Sequence, residues 1–110
     1  MSLIEICKDY FSSFSNKDLL KLESLFSEDI TLRDWDHETK GKNNVLAVNK
    51  KLFYSVESIQ IIPKEFYEND NTVIAELEIV INLSSLALKV VDIIIFDKSN
   101  HICAIRAYKG

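Results

Sequence analysis

Three side chains stand where the pattern calls for apolar ones, and their types suit proton transfer beside a developing oxyanion. Leu86 to Phe96 alternates as a strand does, and one face reads Leu86, Leu88, Val90, Asp92, Ile94, Phe96, with Asp92 its single polar member. Asp34 follows Ile30 and Leu32 on the face of an earlier alternating stretch, and Tyr10 lies in the apolar stripe of the first helical pattern. An unpaired buried carboxylate is costly, so such a group either finds a partner or stays neutral. A neutral carboxylic acid donates a hydrogen bond, as a phenol does, and two such donors aimed at one point stabilise an enolate oxygen. A third carboxylate, ionised and nearer the mouth, can move the proton. The plainer alternative is structural: Tyr10 bonds a backbone carbonyl, Asp34 caps a loop, and Asp92 pairs with a buried donor.

Other groupings carry less. Asp34, Asp36, His37 and Glu38 fall within five residues, but alternation sends His37 away from Asp34 and Asp36, and no distant second cluster completes a metal site. A solvated acidic loop is expected there, with neither metal nor cofactor. His101 opens the last strand after a turn and is expected to be exposed. Cys7 and Cys103 match no disulfide framework or zinc spacing and have no base beside them in sequence. Cys103 shares a face with Ile105 and Ala107 and reads as a small core residue.

The elements that position these groups are long, because Gly41, Gly110 and Pro63 are the only glycines and proline. Leu3 to Phe14 carries apolar residues at spacings of three and four, the stripe of an amphipathic helix. Ser15-Asn16-Lys17-Asp18 breaks it and caps a shorter second helix with Leu19, Leu20, Leu22, Leu25 and Phe26, which Ser27-Glu28-Asp29 ends. Ile30 to Trp35 alternates as a strand, Asp36 to Lys42 reads as a polar loop, and Asn43 or Asn44 caps a third helix bearing Val45, Val48, Leu52 and Phe53. Ser58–Tyr67, Thr72–Leu83, Leu86–Phe96 and His101–Tyr108 are rich in Ile, Val and Leu, with hairpin-length separators of turn residues. Helices followed by a meander imply an α+β domain in the order α-α-β-α-β-β-β-β, three helices covering one face of a curved antiparallel sheet. The opposite face carries Ile74, Val80, Val91, Ile93 and Ile95 among a few charges, and a sheet-to-sheet homodimer would cover it.

The 110 residues suit one domain, 1–110, and 47% hydrophobic with 27% charged residues is the balance of an ordinary globular chain. No apolar run approaches the roughly eighteen residues of a membrane span. A net charge of −4 argues against nucleic acid or anionic membrane as partner. Acidic residues come too early for a signal peptide, so a reduced, cytoplasmic protein is expected.

Tyr10-Phe11, Asp18-Leu19, Leu25 to Thr31, Asp34 and Gly41 resemble the opening of the nuclear transport factor 2-like superfamily, especially its ketosteroid isomerase and SnoaL-type polyketide cyclase branches. Val91 to Asp97 and Ile105 to Tyr108 resemble its last hairpin. The resemblance implies a cystatin-like cone with an interior pocket, often in a homodimer. It places the oxyanion tyrosine of ketosteroid isomerases on Tyr10, their oxyanion aspartic acid on Asp92 and their base on Asp34; that site is itself a worked example of pKa tuning. The loop after Asp34 departs from the pattern, with Trp35, Asp36, His37 and Glu38 and no proline. Tyr54 and Tyr67 are the candidates for supporting tyrosines. The limonene-epoxide-hydrolase branch needs an arginine between two acids in the pocket, whereas Arg33 and Arg106 alternate outward.

Phe14, Leu32, Trp35, Val48, Phe53, Leu88, Ile94, Phe96, Cys103 and Ile105 are the expected pocket walls, suited to a hydrophobic carbonyl or phenolic small molecule. Two readings follow: a cofactor-free isomerase or cyclase working through an enolate, or a non-catalytic ligand-binding or dimerisation module of the same fold.

Overall fold

The computed structural model describes residues 1–110 and contains three helices and six strands in one sheet. Helix α1 spans Leu3–Ser15 and opens with a reciprocal capping box between Ser2 and Glu5. Its stripe buries Ile6, Cys7, Tyr10 and Phe11. Helix α2, Leu19–Leu25, is capped by Asp18, whose side chain accepts from the Lys21 amide, and buries Leu22 alone.

Strand β1, Phe26–Arg33, follows directly. Ser27-Glu28-Asp29 therefore lies inside a strand rather than in a break. The stretch is bulged: Phe26 pairs with Ile102 and Thr31 with Ala104, so β1 spends extra residues between those two pairings. The segment expected as a loop contains a short strand, β2 (Glu38–Lys40), hairpinned to β1 through Asp34–His37. Gly41 then caps helix α3, Lys42–Ser55, where Asn43 or Asn44 was expected to do so. Gly41 has φ +96°, a value that disfavours any side chain.

Strands β3 (Ile59–Asn69), β4 (Thr72–Ile81), β5 (Leu88–Phe96) and β6 (Ile102–Lys109) form the meander, and the sheet order is β2-β1-β6-β5-β4-β3. The α+β arrangement read from the sequence is the one observed, with two corrections: β2 is an extra strand before α3, and β1 runs parallel to β6, so the sheet is mixed and not wholly antiparallel. Pro63 lies on the edge strand β3 at a register irregularity, where its missing N–H costs no central ladder bond. Strand β4 stops at Ile81, two residues before the expected end, because Asn82 and Leu83 turn into positive φ. The Asn82 carbonyl oxygen of the side chain accepts from the Glu57 and Ser58 amides, tying this turn to the α3–β3 connection.

The core lies between the helices and the concave face of the sheet, with Phe26, Ile30, Val45, Ile94, Phe96 and Ile102 at its closed end. No helix is long and apolar enough to cross a membrane.

Candidate active site

Between the helices and the sheet the packing opens into a cavity of about 250 Å³. Sixteen of its twenty-one lining residues are hydrophobic, so a ligand there must be mostly apolar. Helix α1 supplies Tyr10, Phe11 and Phe14, α3 supplies Val48, Asn49 and Leu52, β1 and the turn after it supply Leu32 and Asp34 to His37, and the inner face of β3 to β6 supplies the rest of the wall. Tyr10, Asp34 and Asp92 all line it.

Tyr10 is held by aromatic neighbours, its ring 5.2 Å from Phe11, 5.9 Å from Phe14 and 6.1 Å from Phe26 between centroids. Burial, then the nearby Asp92, pushes its hydroxyl well above the ordinary phenol range, so it remains a donor. Asp92 sits at the middle of β5, where period-two alternation aims it inward between Val90 and Ile94. Burial pushes its carboxyl up to about 7, and the Asp34 charge adds to the shift. No hydrogen bond within the chain offsets either effect.

Asp34 lies one residue past the end of β1, in the hairpin turn. Its Oδ1 accepts from the backbone N–H of Asp36 (2.8 Å) and His37 (2.6 Å), and the His37 ring Nδ1 stands 3.2 Å away. The loop-capping role expected in the plainer alternative is thus present, and the same carboxylate also borders the cavity. At about one-fifth exposure it is the most solvated of the three acidic groups. Trp35 borders the mouth, partly exposed, with Lys109 Nζ 5.4 Å from its ring centroid.

Of the expected walls, Phe14, Leu32, Trp35, Val48, Leu88 and Ile105 line the cavity. Phe53, Ile94, Phe96 and Cys103 do not. Phe53 packs edge-on behind Phe14, 4.9 Å between ring centroids. Ile94 and Phe96 are on the predicted face but deeper, in the solid end of the core. Cys103 falls at a register shift in β6, where Phe96 pairs with Ile102 and Ile95 with Ala104; the shift breaks parity and leaves Cys103 half-buried instead of in the core. Cys7 is fully buried, and burial pushes its thiol up to about 12, which makes it inert.

Sequence reasoning missed twelve of the twenty-one lining residues, the polar Asp36, His37 and Asn49 among them. His37 was expected on a solvated loop pointing away from Asp34, but the hairpin turn folds it back onto that carboxylate. Asn49 is one helical turn from Val45 and from Phe53, a spacing that could have found it. Tyr54 and Tyr67 are exposed, Tyr67 bonding Glu76, so neither supports Tyr10. Arg33 and Arg106 border a separate hollow beside β2, and no arginine lines the main cavity. No set of three or more His, Cys, Asp or Glu side chains converges as a metal site would require.

A helical layer on a curved mixed sheet, enclosing an apolar cavity with acids at its wall and mouth, defines the class. The pattern of the SnoaL-like domain matches residues 7–104, and the chain belongs to that family. Among solved structures it is similar to a nuclear transport factor 2-like protein of unknown function from Burkholderia pseudomallei K96243 (TM-score 0.87, 16% identity, 100% of this chain and 92% of that one). It is also similar to a candidate polyketide cyclase from Sinorhizobium meliloti (TM-score 0.84, 13% identity, 97% and 99%). A third is a limonene-epoxide-hydrolase-like epoxide hydrolase from M. tuberculosis (TM-score 0.83, 13% identity, 98% and 82%). At such identities the likeness is one of fold. Comparison with curated proteins gave no match.

Proposed function

We propose that the protein is a cofactor-free acid/base enzyme that isomerises or cyclises a compact hydrophobic carbonyl compound through an enolate. Asp34 takes the α-proton, and Tyr10 with neutral Asp92 holds the enolate oxygen. The observation that carries this reading is the meeting of two buried donors and one half-buried carboxylate on a single apolar cavity. In low dielectric a pair of preorganised donors is worth far more than in water; losing one costs roughly 3–4 kcal/mol of barrier. The similarity to the candidate polyketide cyclase agrees with enolate chemistry. The epoxide hydrolase likeness is weaker support for its own reaction, because the arginine that branch places between two acids has no counterpart on the cavity wall.

The second reading, a binding module without catalysis, is favoured by one observation: Asp34 already serves the hairpin turn through two backbone bonds. Ultraviolet titration with phenols and naphthols of graded acidity separates the two. Bound phenolate absorbs differently from bound phenol, so ionisation on binding that fades in Tyr10→Phe supports the oxyanion site. Absence of binding across the series overturns it.

Pairing of two copies through the outer sheet face belongs to the same proposal. Ile74, Val91, Ile93 and Ile95 are only half-buried there in the single chain, and light scattering that returned a monomer mass would remove it.

A further inference from the structure

The cavity holds one buried polar side chain that the enolate reading does not use. Asn49 is 5% exposed, lies on the buried stripe of α3 between Val45 and Phe53, and lines the cavity. Its Oδ1 is buried with no hydrogen-bond partner in the chain. An unpaired amide oxygen in such a place is disfavoured, and a leucine of similar volume would avoid the penalty. A structural asparagine would bond a turn or a helix end, as Asn82 does with the Glu57 and Ser58 amides. Asn49 does neither.

We propose that Asn49 is a second recognition point of the cavity, and that the ligand carries a hydroxyl group in addition to the carbonyl or phenol oxygen held by Tyr10 and Asp92. The inference rests on the enolate reading and extends it to the substrate's class. A hydroxyl suits the site because it donates to Oδ1 and accepts from Nδ2, and so satisfies the amide in either orientation. A cationic amine is less suited. The charged or chargeable groups on the wall are Asp34, Asp36, His37 and Asp92, and an ammonium would go to the carboxylates in preference to a neutral amide. A second anionic group is less suited too, since it would face those same acids without a lysine or arginine to balance it.

Recognition of this kind discriminates strongly, because a ligand without the hydroxyl leaves the buried amide unpaired. The test is calorimetric titration of naphthalene, 2-naphthol and a set of dihydroxynaphthalene isomers against wild type and Asn49→Leu. At least one diol should bind wild type about tenfold more tightly than 2-naphthol, the worth of one good hydrogen bond. Asn49→Leu should erase that preference while holding 2-naphthol as well as before or better. A second measurement needs no variant: the side-chain amide resonances of Asn49 in 15N-labelled wild type should move with the preferred diol and stay with 2-naphthol.

A diol preference that survives Asn49→Leu, or resonances that ignore the diol, overturns the inference. So does 2-naphthol binding with no diol preference, which leaves the enolate reading standing. Failure of 2-naphthol and every diol to bind overturns both.

Discussion

The imidazole Nδ1 of His37 lies 3.2 Å from Asp34 Oδ1, and that same oxygen accepts the backbone N–H groups of Asp36 and His37. One carboxylate oxygen thus anchors the β1–β2 turn, and the other, Oδ2, stands 3.4 Å from the same ring nitrogen. This division leaves one oxygen free of the turn's backbone bonds, as the proposed base requires. Asp34→Asn tests the base alone, because an asparagine Oδ1 can keep both backbone bonds. With 2-tetralone as probe, exchange of its α-protons in D2O, followed by proton NMR, should be accelerated by wild type. In Asp34→Asn it should fall by about 10²- to 10⁴-fold. Equal exchange in the two proteins would remove Asp34 from the mechanism.

His37 is a positioning residue in this scheme. His37→Ala keeps the backbone N–H bonds that hold Asp34 but removes the ring that fixes its rotamer. The same exchange assay should fall by roughly tenfold, the worth of one good hydrogen bond, with the apparent affinity for 2-naphthol little changed. A loss as deep as that of Asp34→Asn would instead make the imidazole the proton acceptor.

Asp92 gives a pH signature of stability. Its carboxyl is raised in the fold to about 7 from 3.8, so between those values the folded protein keeps a proton that the unfolded chain has lost. Stability from this group is therefore full at low pH and declines as pH rises through about 7. Asp92→Asn stays neutral throughout and lacks the decline. Urea unfolding at intervals from pH 4 to 8 should show the variant gaining on wild type as pH rises, by a few kcal/mol at most. Parallel curves would mean that Asp92 ionises normally in the fold.

How much of this was legible in the sequence depended on which residue was asked about. Period-two alternation placed Asp92 on the inner face, and the 3.6-residue stripe placed Tyr10. Those patterns report which side of an element a residue takes, but not how far along the cone it lies. Ile94 and Phe96 share the Asp92 face yet fill the solid end, while Leu88 and Val90 meet the cavity. Cys103 escaped because a bulge inverts parity without a marker in composition. The parallel pairing of β1 with β6 escaped because local patterning names no partner strand. His37 escaped because alternation ends where the chain turns, and the turn itself is built by the side chain of Asp34.

The entry into α3 provides a stability test that bears on the site. Gly41 adopts φ +96° between β2 and α3, and its N–H donates to the Ile30 carbonyl at 2.7 Å. A Cβ at this position would meet nothing closer than the Asn44 amide nitrogen, 3.9 Å away. Gly41→Ala therefore introduces no clash, and its cost is the backbone conformation alone, about 1–3 kcal/mol. Because Gly41 sets the angle at which α3 leaves the hairpin, relief of the strain would move Val48, Asn49 and Leu52 together, all of which line the cavity. Chemical denaturation should register the loss, and 2-naphthol affinity should fall with it. A variant as stable as wild type would show that the φ at residue 41 is not enforced by the fold.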